Sequence, residues 1–164
     1  MNKQDIQLLY KYNAWANKRI LDAAAQVTGE QFLALASYPH GGLRSTLTHT
    51  LFAEWIWRTR WLGESPAYRF KAEDFPTFDS LRARRLEEEK ALHTFIDGLT
   101  DEKLNASFQF KTTRGEEMGN ILWQAMAHVV NHGTQHRSEA AAMLTEFAHS
   151  PGDIDLIMFL REMK

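Results

Sequence analysis

The sequence predicts an all-α fold: a four-helix bundle with one long crossover connection and a short closing helix at its carboxyl end. Apolar residues recur in steps of three and four through four long segments, which is the period of an amphipathic helix. Proline and glycine fall mainly between these segments, where the chain is expected to turn. The length of 164 residues, with 44% hydrophobic and 24% charged side chains, suits one globular domain spanning residues 1–164.

The first half of the chain carries two of the four long helices. The first is predicted for residues 5–25, and a capping box at Thr28 and Gln31 begins a short helix that reaches Leu35. Residues 38–42 are predicted to be a loop, and the second long helix runs over 43–61. The residues predicted to face inward on the two long helices are Ile6, Leu9, Asn13, Ala16, Ile20, Ala23, Ala24, Thr46, His49, Ala53, Ile56 and Arg60.

The third long helix is predicted for residues 78–97, after the crossover. The crossover, residues 67–78, contains aromatic residues without a sustained period, so a packed loop is expected. Within the helix, the runs 82–85 and 87–89 are rich in Arg and Glu and are predicted to form a solvated face with pairs one turn apart. The residues predicted to face inward are Leu81, Leu86, Leu92, Phe95 and Ile96.

The fourth long helix is predicted for residues 119–147, and a short closing helix for 154–161. Before the fourth helix, within residues 105–118, Phe108 and Phe110 alternate with polar residues, which predicts a short hairpin or an irregular loop. The inward residues of the fourth helix are predicted to be Leu122, Ala125, Val129, His132, His136, Ala140 and Met143.

Composition excludes several classes of function. The 19 Lys and Arg against 21 Asp and Glu leave a net charge of −2, which offers no basic surface for nucleic acid. The chain has 0 cysteines, so disulfides, thiolate metal sites and cysteine nucleophiles are excluded. No segment resembles a membrane span or a signal peptide, and we therefore expect a cytoplasmic protein without a membrane partner.

Histidines interrupt the inward lines of two helices. His132 and His136 lie one turn apart on the same helix face, where two imidazoles can reach one metal ion. His49 interrupts the line of the second helix and would join them if the two helices face each other. From spacing alone, the pairs His128/His132 and His132/His136 are equal candidates, and core histidines without a metal are the plain alternative.

Three neutral nitrogen donors with open positions are typical of a catalytic zinc or nickel site. Such an ion acts as a Lewis acid and can hold a hydroxide near neutral pH. A closed structural site would require a fourth protein ligand, and the chain offers no thiolate.

Several motifs resemble those of the DinB/YfiT-like superfamily of metalloenzymes. They lie in the first helix, the second helix, the fourth helix and the closing segment, in the order found in that family, and cover nearly the whole chain. The resemblance is carried by residues 12–17 (YNAWAN), 47–51 (LTHTL) with Trp55 and Trp57, 128–137 (HVVNHGTQHR), and 153–157 (DIDLI) with Phe159, Leu160 and Arg161.

The resemblance implies a four-helix bundle that holds a divalent metal, zinc or nickel, through His49, His132 and His136. It leaves His128 as a neighbour of the ligands. It also implies a homodimer. It further implies a small-molecule substrate, because relatives include transferases and isomerases that use the metal to activate a low-molecular-weight thiol. Two alternative functions are therefore expected. The protein is either a metal-dependent enzyme that activates water or a thiol, or a non-enzymatic, stress-related bundle with a structural or sensing metal.

Several other residues lie near the predicted ligands. Glu139 shares the face of His132 and His136, so it could orient a ligand or act as a general base, although an ordinary ion pair is the preferred expectation. Asn131 and Arg137 point about 100° away from their ligand neighbours, which favours a solvated or helix-packing role. The residues predicted to serve the core or a dimer interface, rather than a pocket, are Trp55, Trp57 and Trp61.

Overall fold

Four long helices dominate the computed structural model, which describes residues 1–163. They are α1 (Lys3–Ala24), α3 (Leu43–Trp61), α4 (Phe78–Asp97) and α6 (Leu122–Glu146). Helices α3 and α4 have the bounds predicted from the sequence, and the others differ from their predictions by a few residues at their ends. Each of α1 and α3 packs against both α4 and α6, so the four helices surround one interior.

Shorter elements connect the long helices. A single 3₁₀ turn at Ala72–Asp74 interrupts the predicted crossover loop. Helix α5 (Asp101–Asn105) was not predicted; Thr100 caps it by accepting a hydrogen bond from the backbone N–H of Lys103. The remaining elements are α2 (Gly29–Leu33), α5 (Asp101–Asn105), β1 (Ser107–Lys111), β2 (Glu117–Ile121) and α7 (Leu156–Glu162).

The hairpin of β1 and β2 confirms the first of the two alternatives predicted for residues 105–118, and it adds a small sheet to the predicted all-α fold. The two strands are antiparallel, with Phe110 opposite Met118, and Gly115 takes a φ of +85° in the turn. Because Gly119 pairs with Gln109 in the sheet, the predicted start of the fourth helix at Gly119 is wrong, and α6 begins at Leu122. The fold is therefore a mostly helical one with a small two-stranded sheet.

Two apolar clusters fill the interior, one toward each end of the long helices. Between them, at mid-height, lies a layer of buried polar side chains from all four long helices. This layer consists of Asn13, Asn17, Glu54, Arg85 and Arg137, each no more than 5% exposed.

The predicted facing of α4 is wrong at three positions. Leu86 was expected inside but is 52% exposed, whereas Arg85 and Glu88 were expected on a solvated face and are buried. The inward-facing residues of α4 are Leu81, Arg85, Glu88 and Leu92, in steps of four, three and four. Leu86 lies about 140° around the helix from Leu81.

The charges of Arg85 and Glu88 are tolerated in the interior because each has a partner on α3. Arg58 Nε donates to Glu88 at 2.5 Å, and Arg85 Nη2 donates to Glu54 at 2.8 Å.

No helix within residues 1–163 is both long and apolar enough to cross a lipid bilayer.

Candidate metal centre

The contact between α3 and α6 brings three histidines together. His49 lies in the second turn of α3, while His132 and His136 occupy successive turns of α6. Nε2 of His132 lies 3.2 Å from Nε2 of His49 and 3.2 Å from Nε2 of His136. Two helices that face each other thus join residues 83 positions apart in the chain, which is the arrangement the sequence required for a third imidazole to reach the pair.

The spacing of these nitrogens suits a shared cation. Two nitrogens that are each about 2.1 Å from one ion lie about 3.0–3.4 Å apart at octahedral or tetrahedral angles. Hydrogen bonds alone do not account for both contacts of His132, because a single proton on its Nε2 can be donated to only one of the two neighbouring nitrogens. A cation that accepts all three lone pairs would satisfy both contacts, so the donor set fits a divalent metal ion.

Glu139 fixes the ring of His136. Nδ1 of His136 donates a hydrogen bond to Oε2 of Glu139 at 2.9 Å, and the carboxylate is an acceptor when ionised. The proton on Nδ1 leaves the Nε2 lone pair of His136 directed at the cluster. The contact is a pair within one helix, as the preferred expectation for Glu139 had it, and it has the carboxylate–histidine arrangement that orients metal-binding imidazoles in proteins.

Burial keeps two of the rings neutral. Desolvation, reinforced by neighbouring histidines, lowers the pKa of His49 to about 3 and that of His132 to about 4. Neutral imidazole is the form that binds a metal ion, so both rings can donate lone pairs at neutral pH without first losing a proton. In addition, the buried Nδ1 of His49 has no hydrogen-bond partner among residues 1–163.

A fourth histidine, His40, reaches the cluster from the loop before α3. Its ring stacks on that of His49 with centroids 3.8 Å apart and an interplanar angle of 16°. One ring nitrogen from each of His40, His49 and His136 lies within 4.8 Å of the others. Residues 38–42 were predicted only to be a loop, and His40 was not predicted as a site residue, because a loop has no periodicity that tells where a side chain points.

Two glycines shape the loop that carries His40. Gly41 has a φ of +89°, a conformation that favours glycine. A Cβ on Gly42 would lie 1.9 Å from the backbone oxygen of Ala34, so that position excludes a side chain. The His-Gly-Gly sequence immediately before a helix that carries another inward histidine was the signal that could have drawn attention to His40.

His128 stands beside the cluster. Its ring centroid is 5.7 Å from that of His132 and 5.6 Å from that of Trp57, with which it makes an edge-on contact. Trp61 is buried and stacks on Phe95, as expected for a core residue.

Asn131 and Arg137, the polar residues next to the predicted ligands in sequence, lie in different environments. Asn131 is exposed. Arg137, in contrast, is 2% exposed, and its Nη1 donates to Asn13 Oδ1 at 2.5 Å and to Asn17 Oδ1 at 3.0 Å. Arg137 thus has the helix-packing role and not the solvated one, because the amides of α1 satisfy its guanidinium inside the core.

A cavity of about 190 Å³ adjoins the histidines. Its walls come from the His40 loop, α3 and the connection between α3 and α4, and they include His40, His49, Thr48, Phe52 and Arg69. A larger cavity of about 530 Å³ lies at the carboxyl ends of α3 and α4 and contains none of these histidines. The smaller cavity therefore gives a ligand access to His40 and His49.

These features define a class of protein: a helical protein in which imidazoles from two core helices form a cluster that can hold a divalent cation. Burial keeps two of these imidazoles neutral. Within that class the chain belongs to the DinB family, whose family model matches residues 1–163. The resemblance seen in the sequence motifs is thereby confirmed. The chain is also 27% identical over 161 residues to Protein DinB of Bacillus subtilis (strain 168), an alignment that covers 93% of this chain and 92% of that protein.

Proposed function

We propose that the protein is a metal-dependent enzyme of the DinB type, a four-helix bundle that holds one zinc or nickel ion through His49, His132 and His136. The observation that carries this proposal is the pair of 3.2 Å separations among the three Nε2 atoms. All three side chains come from long helices packed against each other, so little reorganisation would accompany metal binding.

The bound ion would act as a Lewis acid that lowers the pKa of a water or of a low-molecular-weight thiol. The side chains have separate tasks. Glu139 holds the His136 ring in the tautomer that donates from Nε2, and the α3–α6 contact holds His49 opposite the α6 pair. Because the chain contains 0 cysteines, any thiol in the reaction must arrive with the substrate.

Metal binding is tested by titrating the chelator-treated protein with zinc and nickel, using calorimetry and metal analysis. We expect about one ion per chain for the wild type and an affinity reduced on the order of 100-fold or more in His132→Ala, because one of three donors is lost. His128→Ala is the matched control and should bind like the wild type. Equal, negligible metal contents in wild type and His132→Ala would refute the site.

Metal should also stabilise the folded protein, since the three nitrogens converge only in the native state. At a free metal concentration about 100 times the dissociation constant, stabilisation is about 2.7 kcal/mol. For a domain of this size that corresponds to a rise in melting temperature of about 5–11 °C. In His132→Ala, whose affinity is expected to be about 100-fold lower, the rise at the same metal concentration should be no more than about 2 °C.

A second candidate function is a non-enzymatic, stress-related bundle with a structural or sensing metal. His40 is the observation that favours it, because a fourth nitrogen donor would close a tetrahedral zinc site and leave no position for substrate. An activity screen of the metal-loaded protein with several thiols and electrophiles separates the two. Turnover that His132→Ala abolishes supports the enzyme, whereas metal-dependent stability without turnover supports the structural or sensing role.

We further propose that the protein acts as a homodimer, in keeping with the resemblance to its family. Light scattering coupled to size-exclusion chromatography tests this directly, and a monomer mass at concentrations of about 100 µM would refute it.

A further inference from the structure

The cavity of about 530 Å³ at the carboxyl ends of α3 and α4 lies far from the histidines. Its walls come from those two helices, from the segment between α5 and β1, and from Leu122 at the start of α6. Trp61, which lines it, follows His49 on α3 at a distance of about 18 Å along the helix axis. A molecule in this cavity would therefore bind apart from the candidate metal centre.

Trp61 brings a buried hydrogen-bond donor to the wall of this cavity. The side chain is 9% exposed, and its Nε1 is buried without a hydrogen-bond partner among residues 1–163. The indole stacks on Phe95 with centroids 5.6 Å apart and meets the ring of Tyr10 edge-on at 6.5 Å, and neither ring accepts its hydrogen bond. Because an indole N–H can only donate, an oxygen of a bound molecule would satisfy it.

The other walls are apolar and aromatic and carry one charge. Phe95 and Phe108 are half-buried, and Leu99 and Leu122 add buried apolar surface. Lys103 is exposed, and it is the only charged residue of 1–163 that lines the cavity. Since no Asp or Glu lines the same walls, an anion that enters meets a positive charge and no like charge.

We propose that this cavity is a second binding site, which takes a small aromatic carboxylate. The ring of the ligand lies against the aromatic walls, and its carboxylate accepts a hydrogen bond from Nε1 of Trp61 and pairs with Nζ of Lys103. The volume is within the range of about 300–1,000 Å³ that is usual for small-molecule sites, which leaves room for two fused rings. This inference does not rest on the proposed metal-dependent function.

The test uses 2-naphthoate as the probe and two-dimensional NMR of the isotope-labelled full chain. The side-chain N–H signal of Trp61 is identified by its loss in Trp61→Phe. We expect this signal to shift downfield with saturation as it gains an acceptor, and the dissociation constant to be about 1 mM or lower. Naphthalene-2-carboxamide, which has the same shape and no charge, should bind about threefold or more weakly.

Two variants separate the hydrogen bond from the charge. Lys103→Ala should weaken the binding of 2-naphthoate about three- to fivefold and leave that of the carboxamide unchanged, because only the acid is charged. Trp61→Phe keeps an aromatic ring but loses the N–H, and it should weaken the binding of 2-naphthoate about tenfold or more. The backbone amide signals of Ser107 and Phe108, in the cavity wall, measure the affinity of this variant.

Two further variants are controls. Lys11→Ala removes an exposed lysine of α1 that does not line the cavity, and it should bind 2-naphthoate like the wild type. His132→Ala should also match the wild type, because the histidines lie elsewhere. Far-ultraviolet circular dichroism verifies that every variant is folded.

Four outcomes would overturn the proposal. The first is that no signal from the cavity wall shifts with saturation up to the solubility of 2-naphthoate. If folded Trp61→Phe and Lys103→Ala both bind like the wild type, the probe binds elsewhere. If His132→Ala abolishes binding, the carboxylate binds at the metal centre, and this inference fails while the proposed metal site is supported. If the carboxamide or the saturated decahydronaphthalene-2-carboxylate binds as tightly as 2-naphthoate, the site does not select an aromatic anion.

Discussion

Replacing Glu54 by alanine is expected to destabilise the protein strongly, because Glu54 joins the polar layer that crosses the middle of the core. Its side chain is buried, and Oε1 accepts hydrogen bonds from Asn13 Nδ2 at 2.8 Å, Asn17 Nδ2 at 3.1 Å and Arg85 Nη2 at 2.8 Å. The three donors come from two other helices, α1 and α4. Removing one carboxylate therefore leaves a buried guanidinium without its counter-charge and two buried amides without their acceptor.

The magnitude follows from the charge that is left behind. Breaking a buried ion pair by removing one partner costs about 3–5 kcal/mol, and the unpaired amides prevent a value below that range. Arg85 keeps one hydrogen bond, to Thr50 Oγ1 at 3.2 Å, which limits the upper end. For a domain of this length the loss corresponds to a fall in melting temperature of about 6–20 °C.

Urea unfolding of the metal-free protein, followed by tryptophan fluorescence, measures this effect. Glu87→Ala is the matched control: its ion pair with Arg84 spans 3.9 Å, the Glu87 side chain is 73% exposed, and its loss should cost no more than about 0.5 kcal/mol. Glu54→Gln, which keeps an acceptor oxygen but loses the charge, should fall between the two. A change below about 1 kcal/mol for Glu54→Ala would show that the polar layer does not hold the helices together.

Three further predictions concern the candidate metal centre and the loop before α3. Glu139→Gln should lower zinc affinity by about 10–100-fold in calorimetry, because a carboxamide holds the imidazole it contacts less firmly in the donating tautomer. In metal-free protein, the free energy of unfolding should fall as the pH drops from about 6.5 toward 5, because burial lowers the pKa of His49 to about 3 and of His132 to about 4, so both rings take up protons on unfolding. Gly42→Ala should destabilise by about 2 kcal/mol or more in urea unfolding, because its Cβ would meet a backbone oxygen at 1.9 Å, whereas Gly29→Ala, with nothing within 4 Å, should be nearly neutral.

Controls decide these three outcomes. Glu87→Gln alters an exposed carboxylate far from the histidines in sequence and should leave zinc affinity unchanged. A double variant, His49→Gln with His132→Gln, should lose most of the pH dependence between 6.5 and 5; an unchanged slope would assign that dependence to other groups. Equal stabilities for Gly42→Ala and Gly29→Ala would contradict the close approach of the loop to Ala34.

Local sequence patterns were sufficient wherever one helix faced one apolar cluster. The bounds of α3 and α4 were predicted correctly because a glycine-rich loop or a capping threonine begins each helix and a turn sequence ends it. The alignment of His132 with His136 also follows from helical spacing alone, since residues one turn apart share a face. For the same reason Glu139 could be placed beside His136 before its hydrogen bond was seen.

Local sequence patterns gave wrong predictions where the environment of a residue depends on a different helix, strand or loop. Arg85 and Glu88 resembled a solvated face because a charged residue is normally exposed, and only the facing residues of α3 show that these two are paired and buried. The start of α6 was predicted too early because residues 119–121 belong to strand β2 and pair with β1, which a pattern within the helix does not reveal. His40 lies in a loop, where no period indicates the direction of a side chain.

By itself the sequence determined the mostly helical architecture, the absence of cysteine chemistry, the family, and a histidine pair on one helix face, because each of these depends on composition or on spacing within one segment. Only the tertiary structure decided that His49 lies 3.2 Å from His132, that Glu139 fixes the tautomer of His136, and that His40 stacks on His49. The physical reason is that a metal centre depends on distances of a few ångströms between atoms, and the packing of α3 on α6 and the shape of one loop set those distances for residues that are far apart in the chain.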